Sequence, residues 1–233
     1  MRARPARLVA GLVSLTIAAS SPALAATVTM LIIDLEGDGL RLSDRAYPVL
    51  YDLDGDGEPE ATTWTASGQN EAILWRDVDA DGVPGPTDGR ATELFQTIDG
   101  RGSPLEELAL LDQPRAGGDG DGLLSPADAL WGELRLWIDL DHDGVPAPSE
   151  LSRPESWGIA AIELDWRTLS AVDGSLNEFR AVTGVRPSSG APSVAAAEGR
   201  VYEVGMPLLS AEEVCCRRPE PLPLRCRVAV RCP

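Results

Sequence analysis

The sequence predicts an α+β fold in which short β-hairpins and helices are joined by acidic, glycine-bearing loops and followed by trailing β-strands. Three observations predict it. Segments rich in Asp and Gly recur at Asp34, Asp52, Asp77, Asp119 and Asp139. Runs of β-branched and large apolar residues precede several of them. Two Ser-Pro steps open stretches whose apolar residues fall at helical spacing. The loops start at uneven intervals, which argues against a solenoid of fixed period.

Taken in order, the first 25 residues join Arg2, Arg4 and Arg7 to an apolar run from Leu8 to Ala19 and to Ala23-Leu24-Ala25. That is the layout of a secretory signal peptide. The run is shorter than the roughly 18 to 20 residues of a spanning helix. The expectation is a cleaved leader over 1–25 and an exported chain with no membrane span, an uncleaved anchor being the alternative. A body over 26–210 and a basic Cys/Pro-rich tail over 211–233 follow. Within the body, Val28 to Ile33, Val49 to Tyr51 and Ala72 to Trp75 are expected strands. Ser103-Pro104-Leu105-Glu106 is a capping-box start with proline at the first helical position, and Leu105, Leu108 and Leu111 continue at helical spacing. Ser125-Pro126 predicts a second helix with Leu130, Trp131, Leu134 and Trp137 or Ile138 on one apolar stripe, both tryptophans serving the core. Ile159 to Leu164, Glu178 to Thr183 and Arg200 to Val204 are expected strands, with a Pro/Ser/Gly/Ala linker from Arg186 to Gly199.

Charge narrows the function. The formal net charge is −17, and all 20 basic residues are arginines. Three of those leave with the leader, and five more (Arg217, Arg218, Arg225, Arg227, Arg231) sit in the tail, so the body is more acidic still. Such a body repels nucleic acid and anionic membrane, and its self-repulsion opposes compaction unless cations neutralise it. The absence of lysine excludes a P-loop, a Schiff base and a Ser-Lys dyad. The one histidine, His142, lies inside an acidic loop, a poor setting for a nucleophile's base or a zinc ligand.

Calcium takes about six to eight oxygens, which a twelve-residue loop supplies from positions 1, 3, 5, 7, 9 and 12, with glycine at 6 for the turn. DLDHDGVPAPSE meets this with Asp139, Asp141, Asp143, Gly144, the Val145 carbonyl and Glu150. His142 falls at position 4, pointing away from the ion, and is expected to be an exposed bystander. DLDGDGEPE offers Asp52, Asp54, Asp56, the Glu58 carbonyl and Glu60, with Thr63 where the last acid should be. DVDADGVPGPTD offers Asp77, Asp79, Asp81, the Val83 carbonyl and Asp88. The fourth loop has Asp119, Asp121, the Leu123 carbonyl and Asp128 but Gly117 at position 1; Asp112 fills that gap only if Gln113 to Gly118 bulges out. The segment at Asp34 has Glu36 and Asp38 but Arg45 at position 12, and is equally a solvated hairpin turn or a site.

These loops, with Glu93-Leu94-Phe95, Leu108 to Asp128, Leu134 to Gly144, Glu150-Leu151 and the strands from Gly158, Phe179 and Val201, resemble the EF-hand-like calcium-binding region of bacterial exported proteins, often found beside RTX-type repeats. The resemblance covers about residues 30 to 205, without the RTX nonapeptides, and implies calcium binding but no reaction. The expected function is calcium binding by a secreted, non-catalytic structural or interaction protein, with calcium ions and an extracellular protein or surface as partners. A dockerin-like docking module built on the Asp119 and Asp139 loops is one alternative. A hydrolase using Glu163 and Asp165 is another, and it needs one carboxyl in an apolar setting. In an oxidising compartment Cys215 and Cys216 are expected to pair with Cys226 and Cys232, a four-thiolate metal site being the alternative.

Overall fold

A computed structural model describes residues 26–85, 92–99, 101–189, 199–210 and 213–214. The leader, Asp88 and the four cysteines lie outside the described residues. The α+β expectation is corrected: among the described residues the body is mostly β, twelve strands in one antiparallel sheet, with a six-residue α-helix at Pro104–Ala109. The strands are β1 (Thr27–Asp34), β2 (Val49–Tyr51), β3 (Glu60–Thr62), β4 (Glu71–Arg76), β5 (Gln96–Ile98), β6 (Leu123–Leu124), β7 (Leu134–Trp137), β8 (Leu151–Ser152), β9 (Ile159–Glu163), β10 (Arg167–Val172), β11 (Glu178–Pro187) and β12 (Arg200–Leu209). The main path runs β6-β9-β11-β12-β1-β4-β7-β8, while β10 pairs with β11, β5 with β1, and the β2–β3 hairpin joins through β3 to β12.

β1 lies at the centre of the sheet and is buried along nearly its whole length. Successive side chains of a strand point to opposite faces, so Leu31 and Ile33 enter one apolar cluster while Val28, Met30 and Ile32 enter another. The first cluster is closed by α1 (Pro104–Ala109), which contributes Leu105 and Leu108. The Ser103 hydroxyl caps this helix by accepting from Glu106 N at 3.3 Å, and the Glu203 carboxylate of β12 accepts from Leu105 N at 3.3 Å, fixing the helix to the sheet. The second cluster is closed by the β2–β3 hairpin, which brings Tyr51 and Trp64 against Trp137 with ring centroids 5.5 to 5.8 Å apart.

The predicted second helix does not form. Ser125 and Pro126 begin a turn, Trp131–Glu133 makes one 3₁₀ turn, and Leu134–Trp137 is β7. Alternation in Leu-Arg-Leu-Trp-Ile fits a strand as well as a helix stripe, and pairing with β4, Ile73 opposite Trp137 and Leu74 opposite Leu136, decides for the strand. Both tryptophans are core residues, as expected, but on opposite faces: Trp131 with Leu134 and Leu136, Trp137 with Trp64 and Trp75. The linker is shorter than expected, because β11 runs on to Pro187. Among the described residues no helix is long and apolar enough to cross a membrane.

Candidate metal centres

Each acidic loop leaves the end of a strand or a helical turn, and all share one backbone form. Positions 4 and 6 have positive φ throughout: Gly37 and Gly39, Gly55 and Gly57, Ala80 and Gly82, Gly120 and Gly122, His142 and Gly144. Glycine adopts that region freely, whereas a side chain there costs about 1 to 2 kcal/mol. The turn is locked by the acid at position 1, whose carboxylate accepts the amide of the position-6 glycine. Asp52 does so from Gly57 at 2.9 Å, Asp77 from Gly82 at 3.2 Å, and Asp139 from Gly144 at 3.0 Å. Acids further along accept from two residues on, as Asp54 does from Asp56 N and Asp143 from Val145 N.

The closing acid is the second constant. In the Asp139 loop Glu150 accepts from Leu140 N and Ala147 N, and in the Asp52 loop Glu60 accepts from Leu53 N. The Asp77 loop is closed by Glu93, which accepts from Val78 N at 2.6 Å and Asp79 N at 3.4 Å. Glu93 was not among the expected site residues, since it lies beyond the twelve-residue template that pointed to Asp88. In the fourth loop Asp128 accepts from Asp119 N and Ser125 N. Its first acid is Asp112, which accepts from Gly120 N at 2.9 Å and Gly122 N at 3.1 Å. Residues 113–118 do bulge out, with a 3₁₀ turn at Pro114–Ala116 and a left-handed Gly117.

Four carboxylate groups result among the described residues: Asp52, Asp54 and Glu60; Asp77, Asp79 and Asp81; Asp112, Asp119 and Asp121; Asp139, Asp141 and Glu150. Within each, one oxygen per residue lies within 4.8 Å of the others, close enough to share one ion. Asp56, Asp143, Asp128 and Glu93 border these groups without joining them. Residues 58, 83, 123 and 145, expected to act through their carbonyls, all stand at position 7. The position-1 and closing acids are mostly buried, Asp139 at 1 % and Asp112 at 3 % exposure, whereas positions 3 and 5 face solvent. Burial, with Glu150 alongside, pushes the Asp139 carboxyl above its usual range; burial does the same at Glu60 and Glu93, reinforced by the neighbouring loop aspartates. A cation would relieve both costs. The Asp77 group already has a cationic partner, because Arg135 pairs with Asp77 at 2.9 Å.

The Asp34 segment has the same turn but forms no group. Arg41 holds Asp38 at 2.5 Å and Asn70 donates to Glu36 at 2.7 Å. Glu71, opposite Asp34 across β1 and β4, is pushed up to about 7, chiefly by burial and then by Asp34 and Asp38. A raised carboxyl favours the fold below its unfolded value, near 4.5, and that support is lost as the pH climbs through 7. In chelator, wild-type stability is therefore expected to fall between about pH 5 and 8 by roughly 1 to 3 kcal/mol more than that of Glu71→Gln, read by urea unfolding.

His142 is not the exposed bystander of the sequence reading. Its ring turns away from the carboxylates, as position 4 requires, and meets two backbone carbonyls: Nδ1 is 2.9 Å from Thr65 O and Nε2 is 2.8 Å from Tyr47 O. The Asp139 loop lies between β7 and β8, while the loop that Asp112 opens follows α1 and leads into β6. For the hydrolase alternative, Glu163 and Asp165 line an open, polar depression with Asp121 and Arg186, and Arg186 bonds Glu163 at 3.1 Å. That is not the apolar setting a general acid needs.

The SPM domain family matches residues 31–197, well over half of the chain and a span holding all five loops. The chain belongs to the SPM domain family. This family, and not an EF-hand family, is the one shown, in keeping with loops that copy EF-hand spacing on a sheet. The sheet of this SPM domain extends past the matched span, since β12 pairs with β1 over all eight residues of β1. The chain is also 28% identical over 153 residues to "Iron-regulated protein FrpA" of Neisseria meningitidis serogroup C. The aligned stretch is 63% of this chain but 13% of that protein, so the SPM domain here corresponds to a small part of its relative's length.

Proposed function

We propose that the protein is an exported calcium-binding module whose ions pin the acidic loops to the sheet and so stabilise the fold. The observation that carries this reading is one loop geometry built four times, each time converging three carboxylates within reach of a single ion. The donors of the four described groups are all oxygen, which suits a hard cation, and the one imidazole is turned to backbone carbonyls. Crowded like charges, one or two of them buried in three of the four groups, supply the driving force, because the carboxylates of a loop repel one another until an ion neutralises them. The leader-like N-terminus supports export to a compartment where calcium reaches millimolar levels, a range matched by extracellular loops of this type, with Kd of about 10⁻⁴ to 10⁻³ M.

The test is calorimetric titration of the exported chain with calcium and with magnesium, joined to a metal count. Calcium is expected to bind at up to four sites, with magnesium a weak competitor because it demands a tighter octahedral shell. No heat with calcium and no bound metal would refute the reading. Among substitutions, Glu93→Gln is expected to weaken the third site several-fold, and Asp88→Asn to weaken it less, because Glu93 is the acid hydrogen-bonded to that loop. The Gly82 amide resonance, whose N–H bonds Asp77, reports this site alone. A larger effect from Asp88 would reassign the closing acid.

A further inference from the structure

We propose that His142 is a positioning residue that couples the Asp139 and Asp52 sites, so that an ion in one strengthens binding in the other. This rests on the calcium-binding reading above and adds a physical connection between two of its sites. Three observations carry it.

First, His142 stands where the shared turn wants glycine. Its φ of +65° matches that of Gly55 and Gly120 at the same loop position, and a branched ring there carries a strain that glycine avoids. A strained residue persists when its surroundings over-determine it, and here two ring-nitrogen contacts to backbone carbonyls do so, both of them hydrogen bonds when both nitrogens carry protons. Second, the two acceptors are the open end of the hairpin whose closed end is the Asp52 loop. Tyr47 lies just before β2 and Thr65 just after β3. At the other end of that hairpin Tyr51 pairs with Glu60, which closes the Asp52 loop and belongs to its carboxylate group. A side chain that holds both arms at the base sets the spacing at which Asp52 and Glu60 face each other. Third, the rest of the Asp139 loop grips the same hairpin. Gly68 N and the Ser67 hydroxyl donate to Leu140 O at 2.9 and 3.2 Å. Gly144 lies so close to β2 that an added Cβ would stand 2.4 Å from Val49 Cγ1 and 3.0 Å from Leu50 O. The Asp139 loop and the hairpin therefore have no slack between them. Ordering the loop around an ion orders the hairpin base, and by linkage an ion in the Asp52 loop returns the same free energy.

Two measurements on the full exported chain test this. In EDTA, His142→Ala is expected to speed amide hydrogen exchange at Ser43, Tyr47, Ala66 and Gly68, which are backbone-bonded at the hairpin base, as well as in the Asp139 loop. Acceleration confined to the Asp139 loop would overturn the clamp, and this result needs no bound metal. Calcium titration is then followed at the Gly57 and Gly144 amides, which report the two sites separately. With His142 present, Glu150→Gln is expected to weaken calcium binding at Gly57 about fivefold, the lower end of typical coupling. In the His142→Ala background the same substitution is expected to leave Gly57 unchanged. A merely destabilising role for His142 would lower the melting temperature without removing this dependence. An unchanged Gly57 titration on Glu150→Gln with His142 intact would overturn the coupling. If exchange responds as expected while no calcium binds to any variant, the clamp stands, coupling between ion sites is overturned, and the calcium reading itself fails.

Discussion

Adding millimolar calcium to the chelated protein is expected to raise its thermal midpoint by about 5 to 20 °C. Each site with a Kd of about 10⁻⁴ to 10⁻³ M contributes roughly 0.4 to 1.4 kcal/mol at that concentration by mass action. Four such sites together reach roughly 2 to 6 kcal/mol, a large part of the usual 5 to 15 kcal/mol. For a domain of this size each kcal/mol moves the midpoint by about 2 to 4 °C. The gain should vanish near pH 4, where carboxylates of ordinary pKa are half protonated and bind calcium poorly. Superimposable melting curves in EDTA and in calcium would remove the stabilising role.

Gly144→Ala is expected to be among the most damaging single substitutions in the loops, lowering stability by roughly 3 kcal/mol or more in urea unfolding. Two costs add. The residue has a φ of +72°, which charges any side chain about 1 to 2 kcal/mol, and its added methyl collides with Val49 and the Leu50 carbonyl, an overpacking cost of about 1 to 3 kcal/mol. Gly57→Ala is the control. It has the same turn role and a φ of +88°, but nothing lies within 4 Å of its added methyl, so only the first cost applies. Equal losses for the two would mean that the Asp139 loop does not press on β2.

The acidic loops were legible because their chemistry is local: Asp, Gly and their spacing fix the turn before any tertiary contact exists. Strands β1, β2, β4, β9, β11 and β12 were legible in position from their runs of β-branched and apolar residues, though β11 and β12 run further than the sequence suggested. Legibility failed wherever a distant partner decided the outcome. Leu134 to Ile138 satisfies helix and strand patterns alike, and only the neighbouring β4 selects between them. Glu93 closes its loop from the next strand-forming segment, outside any contiguous template, and Asp112 opens its loop across an insertion whose path sequence spacing cannot show. His142 was placed correctly at position 4 and turned correctly away from the carboxylates. What it turns toward, two carbonyls from segments far apart in the chain, leaves no trace in the loop's own residues.

The pairing of β1 with β12 carries a consequence for how the chain acquires its shape. Thr27 to Asp34 lie opposite Pro207 to Arg200 in the middle of the sheet, so the first of the described strands to leave a ribosome has its longest partner in the last of them. Closing that contact spans nearly the whole body, a high contact order that slows folding. An emerging chain exposes β1, apolar on both faces, until β12 is available to cover one of its edges. The sheet is thus completed from its centre only once Arg200 to Leu209 have emerged, and a chain cut before Arg200 loses not an outer strand but the neighbour of its core.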